Sequence, residues 1–429
     1  MAIPLFLFVL LPGIQIGVFL AGQLSFGFGV GAGEMINYAA SIAAFHWMMG
    51  NVVLGTKLPW LQRVIPYDRR VRFHIQSTAG IAIAVAYHGL YKVATSHLLD
   101  PVTWALTGVI LGTFLLAVLW IPVPGFRAFR TRVLAYTKRR AEQNYDRSKR
   151  IHKVAVLGLS VLLMLHLLSS ELFSQVPRLS AAGYWALYLL TVGAYVLSLT
   201  KASRVRATVT GVTEKKGIVT LSLRPDRPVR FAGGQFTFLR MEDSGKRFDE
   251  HPFSFLSGGV ATDGNSGEIT FAMRKIGDFT SGLASLRPGA AVSLRHGFGN
   301  FRPRRKKDLC LIGSGIGIVP LLSILKELAE KKDARSIKAV LSVTDREEIP
   351  EPENLRRIVS ALPRLTLHLL VYSEDGRLLS EEFLGEILPD RERYDYYLCS
   401  SPKVRDIVVR SLKNLGIPSS AIRYEAFSF

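Results

Sequence analysis

Cysteine is nearly missing from this chain: Cys310 and Cys399 are the only two among 429 residues. Both lie in the second half, which excludes a disulfide framework and fits a reducing compartment. Acidic residues are also few, 34 Asp and Glu against 54 Lys and Arg, for a formal net charge of +20. Such an excess raises nucleic acid as a partner, but it gathers beside apolar runs, where anionic lipid head groups explain it better. No nucleic-acid partner is expected. The chain has no internal repeat, no low-complexity segment and no EF-hand loop, and regulatory subunits are not evident. Its first apolar run lacks the basic n-region and small-residue cleavage site of a signal peptide, so an uncleaved helix is expected there.

What the chain does have is long apolar runs, all before about Lys201: Ile3–Leu20, Met35–Leu54, Phe73–Val93, Val102–Ile121, Ile151–Leu172 and Tyr184–Leu199. A hydrocarbon core needs about 20 helical residues, so an all-α bundle of six transmembrane helices is expected. The first run, with Pro4 and Pro12, and the short last one are the weakest. Lys and Arg collect in every second loop, around Lys57–Arg72, Arg127–Lys153 and Lys201–Arg206. By the positive-inside rule, six spans place both termini in the cytoplasm and the chain in the plasma (inner) membrane; five would put the second half outside.

Histidine is sparse too, nine in all, and four fall inside the spans at a repeated interval. His74 and His88 stand fourteen residues apart in the third run, and His152 and His166 fourteen apart in the fifth. Fourteen residues rise about 21 Å and turn through nearly four revolutions of a helix, so each pair shares one face at two depths. Spans three and five run in the same direction, which sets His74 level with His152 and His88 level with His166. A polar side chain at membrane depth is a functional candidate by default. A lone histidine is more often a hydrogen-bonding residue between helices or a proton relay, the reading given to His46, with Trp60 fourteen residues on. Zinc or copper asks for three or four close ligands; two facing imidazoles per level match the axial ligands of haem iron. Two stacked haems follow, with His74, His88, His152 and His166 as metal ligands.

With these residues the chain resembles the ferric reductase transmembrane superfamily, which includes the NADPH oxidases. The resemblance implies two haem b groups, the inner between His74 and His152 and the outer between His88 and His166, with oxygen reacting at the haem edge.

After Arg204 the pattern alternates like strands, as in "GIVTLSLRP" and "GEITFAMRK", with turns at "AGGQ" and "TDGNSG". A small antiparallel β-barrel is expected. It contains "HPFSFLS" from His251 and "RKIGDFTSGL" from Arg274, and their order resembles the flavin domain of ferredoxin-NADP reductases as modified in NADPH oxidases. The resemblance implies FAD, with His251, Pro252, Phe253 and Ser254 at the isoalloxazine, Arg274 on the pyrophosphate, and Thr280 with Ser281 opening a helix toward it. From Asp308, strand, glycine loop and helix follow in "DLCLIGSGIGIVPLL". Gly313, Gly315 and Gly317 precede a helix expected to begin at Pro320, and Ile318 replaces the third glycine of the strict dinucleotide fingerprint. This form resembles the Rossmann-like α/β nicotinamide domain of the same reductases. Cys399–Pro402 is similar to that family's Cys-Gly-Pro loop, with Ser400 in place of glycine, which implies Cys399 beside the nicotinamide; Cys310 reads as core. Arg346 is the candidate for the 2′-phosphate of NADPH, although Asp345, Glu347 and Glu348 adjoin it and NADH is kept as a second donor. The family's C-terminal aromatic over the flavin implies that role for Phe429.

The expectation is a multidomain membrane protein: a di-haem domain over residues 1–200, an FAD domain over 201–304 and an NADPH domain over 305–429. Its activity is that of a transmembrane NADPH oxidase delivering electrons to oxygen outside, with a ferric or cupric chelate reductase as the rival. A haem-binding anchor serving another protein is a third reading, disfavoured because the chain carries its own nicotinamide module.

Overall fold

In the computed structural model the chain forms two compact units, Met1–Ser203 and Arg204–Phe429. Described are residues 5–26, 31–95, 101, 104–105, 107–110, 112, 141–170, 173, 177–200, 204–242, 250–259, 267–303 and 307–425.

The first unit is helical. A π-helical turn, Phe6–Leu10, runs directly into α1 (Leu11–Phe26), so Pro12 does not break the segment as expected. Proline lacks an N–H, which releases the carbonyl four residues back. That carbonyl, Phe8 O, accepts instead from Trp47 Nε1 at 2.8 Å. The other helices are α2 (Ala32–Gly55), α3 (Pro59–Val64), α4 (Tyr67–Ala94), α5 (Ala141–Ser169) and α6 (Arg178–Leu199). Arg70 is fully buried and donates to the carbonyls of Thr56 at 2.5 Å and Leu54 at 3.4 Å, which satisfies acceptors at the end of α2.

The expected six spans are corrected in part. Among the described residues two helices are long and apolar enough to cross a membrane, Ile151–Ser169 and Arg178–Leu199, with mean hydropathies of 2.0 and 1.4. The fall is physical in α2 and α4, which are long enough but carry Asn37, His46 and Asn51, and Arg69, Arg70, Arg72 and His74. Most of Val102–Ile121, and the basic residues from Arg127 to Arg140, lie outside the described residues. An apolar core of Phe45, Met48, Met49, Ile81, Leu163, Met164 and Tyr184 joins α2, α4, α5 and α6.

In the second unit, six antiparallel strands, β1 (Val205–Lys215), β2 (Ile218–Pro225), β3 (Phe236–Met241), β4 (His251–Ser254), β5 (Ile269–Arg274) and β6 (Ala291–Leu294), pair in the order β4-β3-β6-β1-β2-β5. The edges β4 and β5 meet through a Phe255–Phe271 bridge and a Leu256 N–H to Thr270 O bond of 2.9 Å. This contact closes the sheet into a barrel around Leu221, Leu223, Leu239, Phe255 and Phe271. The short helix α7 (Asp278–Ala284) follows β5.

A parallel five-stranded sheet comes next, from β7 (Asp308–Ser314), β8 (Ile337–Val343), β9 (Leu365–Val371), β10 (Tyr394–Cys399) and β11 (Ile422–Glu425), in the order β11-β10-β7-β8-β9. Its helices are α8 (Ile318–Glu330), α9 (Pro352–Ala361), α10 (Tyr372–Asp375), α11 (Glu381–Ile387) and α12 (Pro402–Asn414). From β7 the chain winds one way to β8 and β9, then returns to lay β10 on the other side. Open parallel sheets take ligands at such a reversal, outside the carboxyl ends of the strands. Here that places the crevice between the ends of β7 and β10.

Candidate functional site

The four span histidines fall into two neighbourhoods. His88 and His166 face each other with ring centroids 6.2 Å apart and planes at 73°. A metal between two imidazoles, with bonds of about 2 Å to each, asks for centroids roughly 6 Å apart, so this pair fits an axially ligated iron. His152 lies within electrostatic reach of His74. His74 Nδ1 bonds the Asn51 carbonyl at 3.1 Å, and His88 Nδ1 bonds Asn37 Oδ1 at 3.0 Å. With Nδ1–H donated, the lone pair of each ring sits on Nε2, the state a ligand needs. Among the described residues no group of three or more His, Cys, Asp or Glu gathers as zinc would require. His46 departs from expectation: its Nδ1 meets Ile42 O of its own helix at 2.7 Å, and the buried ring lies 5.2 Å from Tyr184. Trp60 stands on a different helix and is exposed. Sequence reading passed over Asn37 and Asn51, although they too are fourteen residues apart.

Strand β4 carries the flavin candidates. Because side chains alternate along a strand, His251 and Phe253 share a face, and both stack on Phe279 of α7, at 4.0 Å and 5.9 Å. Pro252 sits opposite Phe238 in the register with β3. Ser254 is buried, and its hydroxyl has no hydrogen-bond partner among the described residues. A buried polar group left unpaired is costly, and a flavin nitrogen or carbonyl would complete it. Arg274 ends β5 with one guanidinium nitrogen 3.0 Å from Glu348, so it joins the barrel to the parallel sheet as well as offering charge. Thr280 and Ser281 do not open α7, which starts at Asp278. The Thr280 hydroxyl instead accepts from the N–H groups of Ile276 and Gly277, both at 3.1 Å, and caps the turn. Behind the strand a buried cluster fixes its entry: Glu250 Oε1 accepts from Arg204 at 2.7 Å and from Arg295 at 3.0 Å.

At the crevice, Gly313 pairs with Cys399 across β7 and β10. Gly315 has φ +56°, with nothing within 4 Å of where a Cβ would stand, so a ligand has room there. Gly317 has none: an added Cβ would meet Cys399 O at 2.2 Å. Helix α8 starts at Ile318 rather than at Pro320, which occupies its first turn, where the missing N–H costs nothing. Cys399 is fully buried, and desolvation, then the Glu425 carboxylate, raises its thiol well above the usual range. It stays protonated, so it offers shape and a weak S–H rather than nucleophilicity. Glu425, paired with Cys399 in the register of β11, is a neighbour that sequence reading missed. Burial pushes the Cys310 thiol up to about 12, and its side chain is core, as expected.

Arg346 does not offer a free fork. It binds Glu374 through two nitrogens at 2.8 and 2.6 Å, and this pairing raises its pKa. Asp345 beside it pairs with Lys216 at 3.2 Å. A 2′-phosphate would have to displace Glu374. Phe429 lies outside the described residues.

No protein-family model matches the chain. It is 26% identical over 206 residues to the toluate 1,2-dioxygenase electron transfer component of Pseudomonas putida, covering 46% of this chain and 59% of that one. It is 30% identical over 172 residues to a probable dihydroorotate dehydrogenase B (NAD(+)) electron transfer subunit of Methanopyrus kandleri, covering 40% and 58%. A flavohemoprotein of Bacillus subtilis is 24% identical over 239 residues, covering 50% and 56%. The chain thus spans less than two thirds of each of these relatives. The barrel followed by the parallel sheet is the part of the chain that is similar to these electron-transfer proteins. These relatives speak to that part; the haem and membrane reading stands on the helical unit.

Proposed function

We propose that the chain is a transmembrane oxidoreductase that takes electrons from cytoplasmic NADPH and delivers them to oxygen on the outer side, producing superoxide. The observation that carries this reading is the His88–His166 pair, spaced at 6.2 Å with the Nδ1 of His88 engaged by Asn37. Helices α4 and α5 would hold two haem b groups through His74 with His152 and His88 with His166, and iron at each site would supply a one-electron relay. FAD, accepting a hydride and releasing single electrons, would lie against Phe253 and Ser254. In the crevice Gly315 leaves space for the nucleotide, while Gly317 and Cys399 set the wall it meets.

Lipid contact is supported by the surface of the helical unit, where Ile83, Leu90, Val154, Leu179, Leu189 and Leu190 are each at least 62% exposed. Apolar side chains in that number on long helices call for a nonaqueous neighbour. We place the unit in the plasma (inner) membrane with both termini cytoplasmic, and take residues 1–200, 201–304 and 305–429 as its di-haem, FAD and nicotinamide domains.

The test is cytochrome c reduction by purified, membrane-reconstituted protein with NADPH, with and without superoxide dismutase. Loss of the signal with dismutase is expected. Its persistence, together with reduction of a ferric chelate at equal rate, would replace oxygen with a metal chelate as acceptor. Absence of a haem spectrum would remove the relay itself.

A further inference from the structure

Helix α2 lies along α4 with reversed direction, and two of its asparagines meet the two histidines of α4 in one register: Asn51 at His74 and Asn37 at His88. Both pairs are fourteen residues apart, so the interval that sets two depths on α4 is repeated on its neighbour. The contacts are chemically unequal. At His74 the acceptor is the backbone carbonyl of Asn51, which accepts only and is present whatever side chain stands there. The Asn51 side chain clasps α4 instead: Nδ2 donates to His74 O at 3.3 Å and to Thr78 Oγ1 at 3.2 Å, and Oδ1 accepts from Ser77 at 2.8 Å. At His88 the acceptor is a side chain, Asn37 Oδ1 at 3.0 Å; Asn37 is fully buried, and its Nδ2 has no hydrogen-bond partner among the described residues.

We propose that Asn37 is a positioning residue for the outer haem: its Oδ1 holds the proton on His88 Nδ1, keeps the Nε2 lone pair aimed at the metal, and sets the donor strength of that imidazole. At His74 the corresponding acceptor is the main-chain carbonyl of Asn51. The inference rests on the di-haem reading and sharpens it. An acceptor stronger than an amide makes the imidazole a better donor and favours the oxidised metal, whereas loss of the acceptor frees the ring to rotate or change tautomer.

The experiment uses full-length, haem-loaded protein and the variants Asn37→Asp and Asn37→Leu, read by haem content, a redox titration resolving two potentials, and low-spin ferric electron paramagnetic resonance. Asn37→Asp should keep both haems, lower one potential and shift one of the two low-spin signals. Asn37→Leu should weaken one haem by about 10- to 100-fold in affinity or raise its potential. The other potential should stay in place in both variants. Equal behaviour of the Asp and Leu variants would overturn the proposal, as would unmoved potentials with full haem content in both. Should the Leu variant not fold, the sign of the shift in Asn37→Asp decides alone. Failure of the di-haem reading is seen separately, in unmutated protein that holds no haem or in His88→Ala that retains two.

Discussion

Replacing Gly317 by alanine inserts a methyl group where the glycine loop touches the end of β10. The new carbon would lie 2.2 Å from Cys399 O, 2.6 Å from Cys399 C and 2.9 Å from Ser400 N. Relaxed carbon–oxygen contacts need about 3.3 Å, so loop and strand must part by roughly 1 Å. All three obstructing atoms are main chain of a central strand, so no side chain can swing aside. That separation falls between the two walls of the crevice proposed for the nicotinamide. A misplacement of about 1 Å in a reacting pair costs on the order of 100-fold in rate, or about 2.7 kcal/mol at 1.36 kcal/mol per factor of ten. Anaerobic stopped-flow measurement of flavin reduction by NADPH should show this loss at saturating nucleotide, with FAD content unchanged. Gly315→Ala is the matched control, because it meets no atom within 4 Å but must hold φ +56°, a strain of about 1–2 kcal/mol. It should lower thermal stability more than it alters the spacing of the walls. Wild-type flavin reduction in Gly317→Ala would refute the placement of the nicotinamide at this crevice.

Three further outcomes are expected. Glu250→Ala leaves Arg204 and Arg295 buried without their shared carboxylate, a loss of about 3–5 kcal/mol; thermal unfolding followed by flavin release should begin at a clearly lower temperature, and an unchanged midpoint would show the triad to be dispensable. Glu374→Gln removes the charge that occupies Arg346, so the KM ratio should shift toward NADPH over NADH; a shift in favour of NADH would exclude Arg346 from the 2′-phosphate site. Cys310, with its thiol raised from 9.0 to about 12 in the folded chain, binds its proton more tightly folded than unfolded. Stability should therefore fall as pH rises from about 9 toward 12, by up to about 1.4 kcal/mol per unit, and Cys310→Ala should flatten that slope in denaturant titrations.

The two depths of histidine were legible in the primary structure because a helix converts an interval of fourteen residues into one face. Periodicity of that kind is local and needs no partner. The barrel was legible for the same reason, from strand alternation and turn residues, and so was the glycine loop, although the first turns of α7 and α8 fell two residues earlier than the Thr280 and Pro320 signals suggested. Side-chain capping and proline both act within a first turn, so either residue marks a helix start only to within that turn. Of the six apolar runs, two form helices that meet the length and apolarity of a span among the described residues, and the arginines and asparagines of α2 and α4 lower the hydropathy of those two.

Which groups are already engaged was invisible in one dimension. Arg346 looked like a free phosphate ligand until β8 and the segment after β9 brought Glu374 to it, and Arg274 gained Glu348 in the same way. Burial of Ser254, whose hydroxyl has no partner among the described residues, is likewise a product of packing around β4. Composition and interval were enough to determine where the spaced histidines and the glycine loop stand along their own helices and strand, because those depend on the repeat of a single element. Tautomer, ion pairing and steric closure belong to contacts between elements distant in the chain, and tertiary structure alone decided them, as it did for Asn37 at His88 and Gly317 at Cys399.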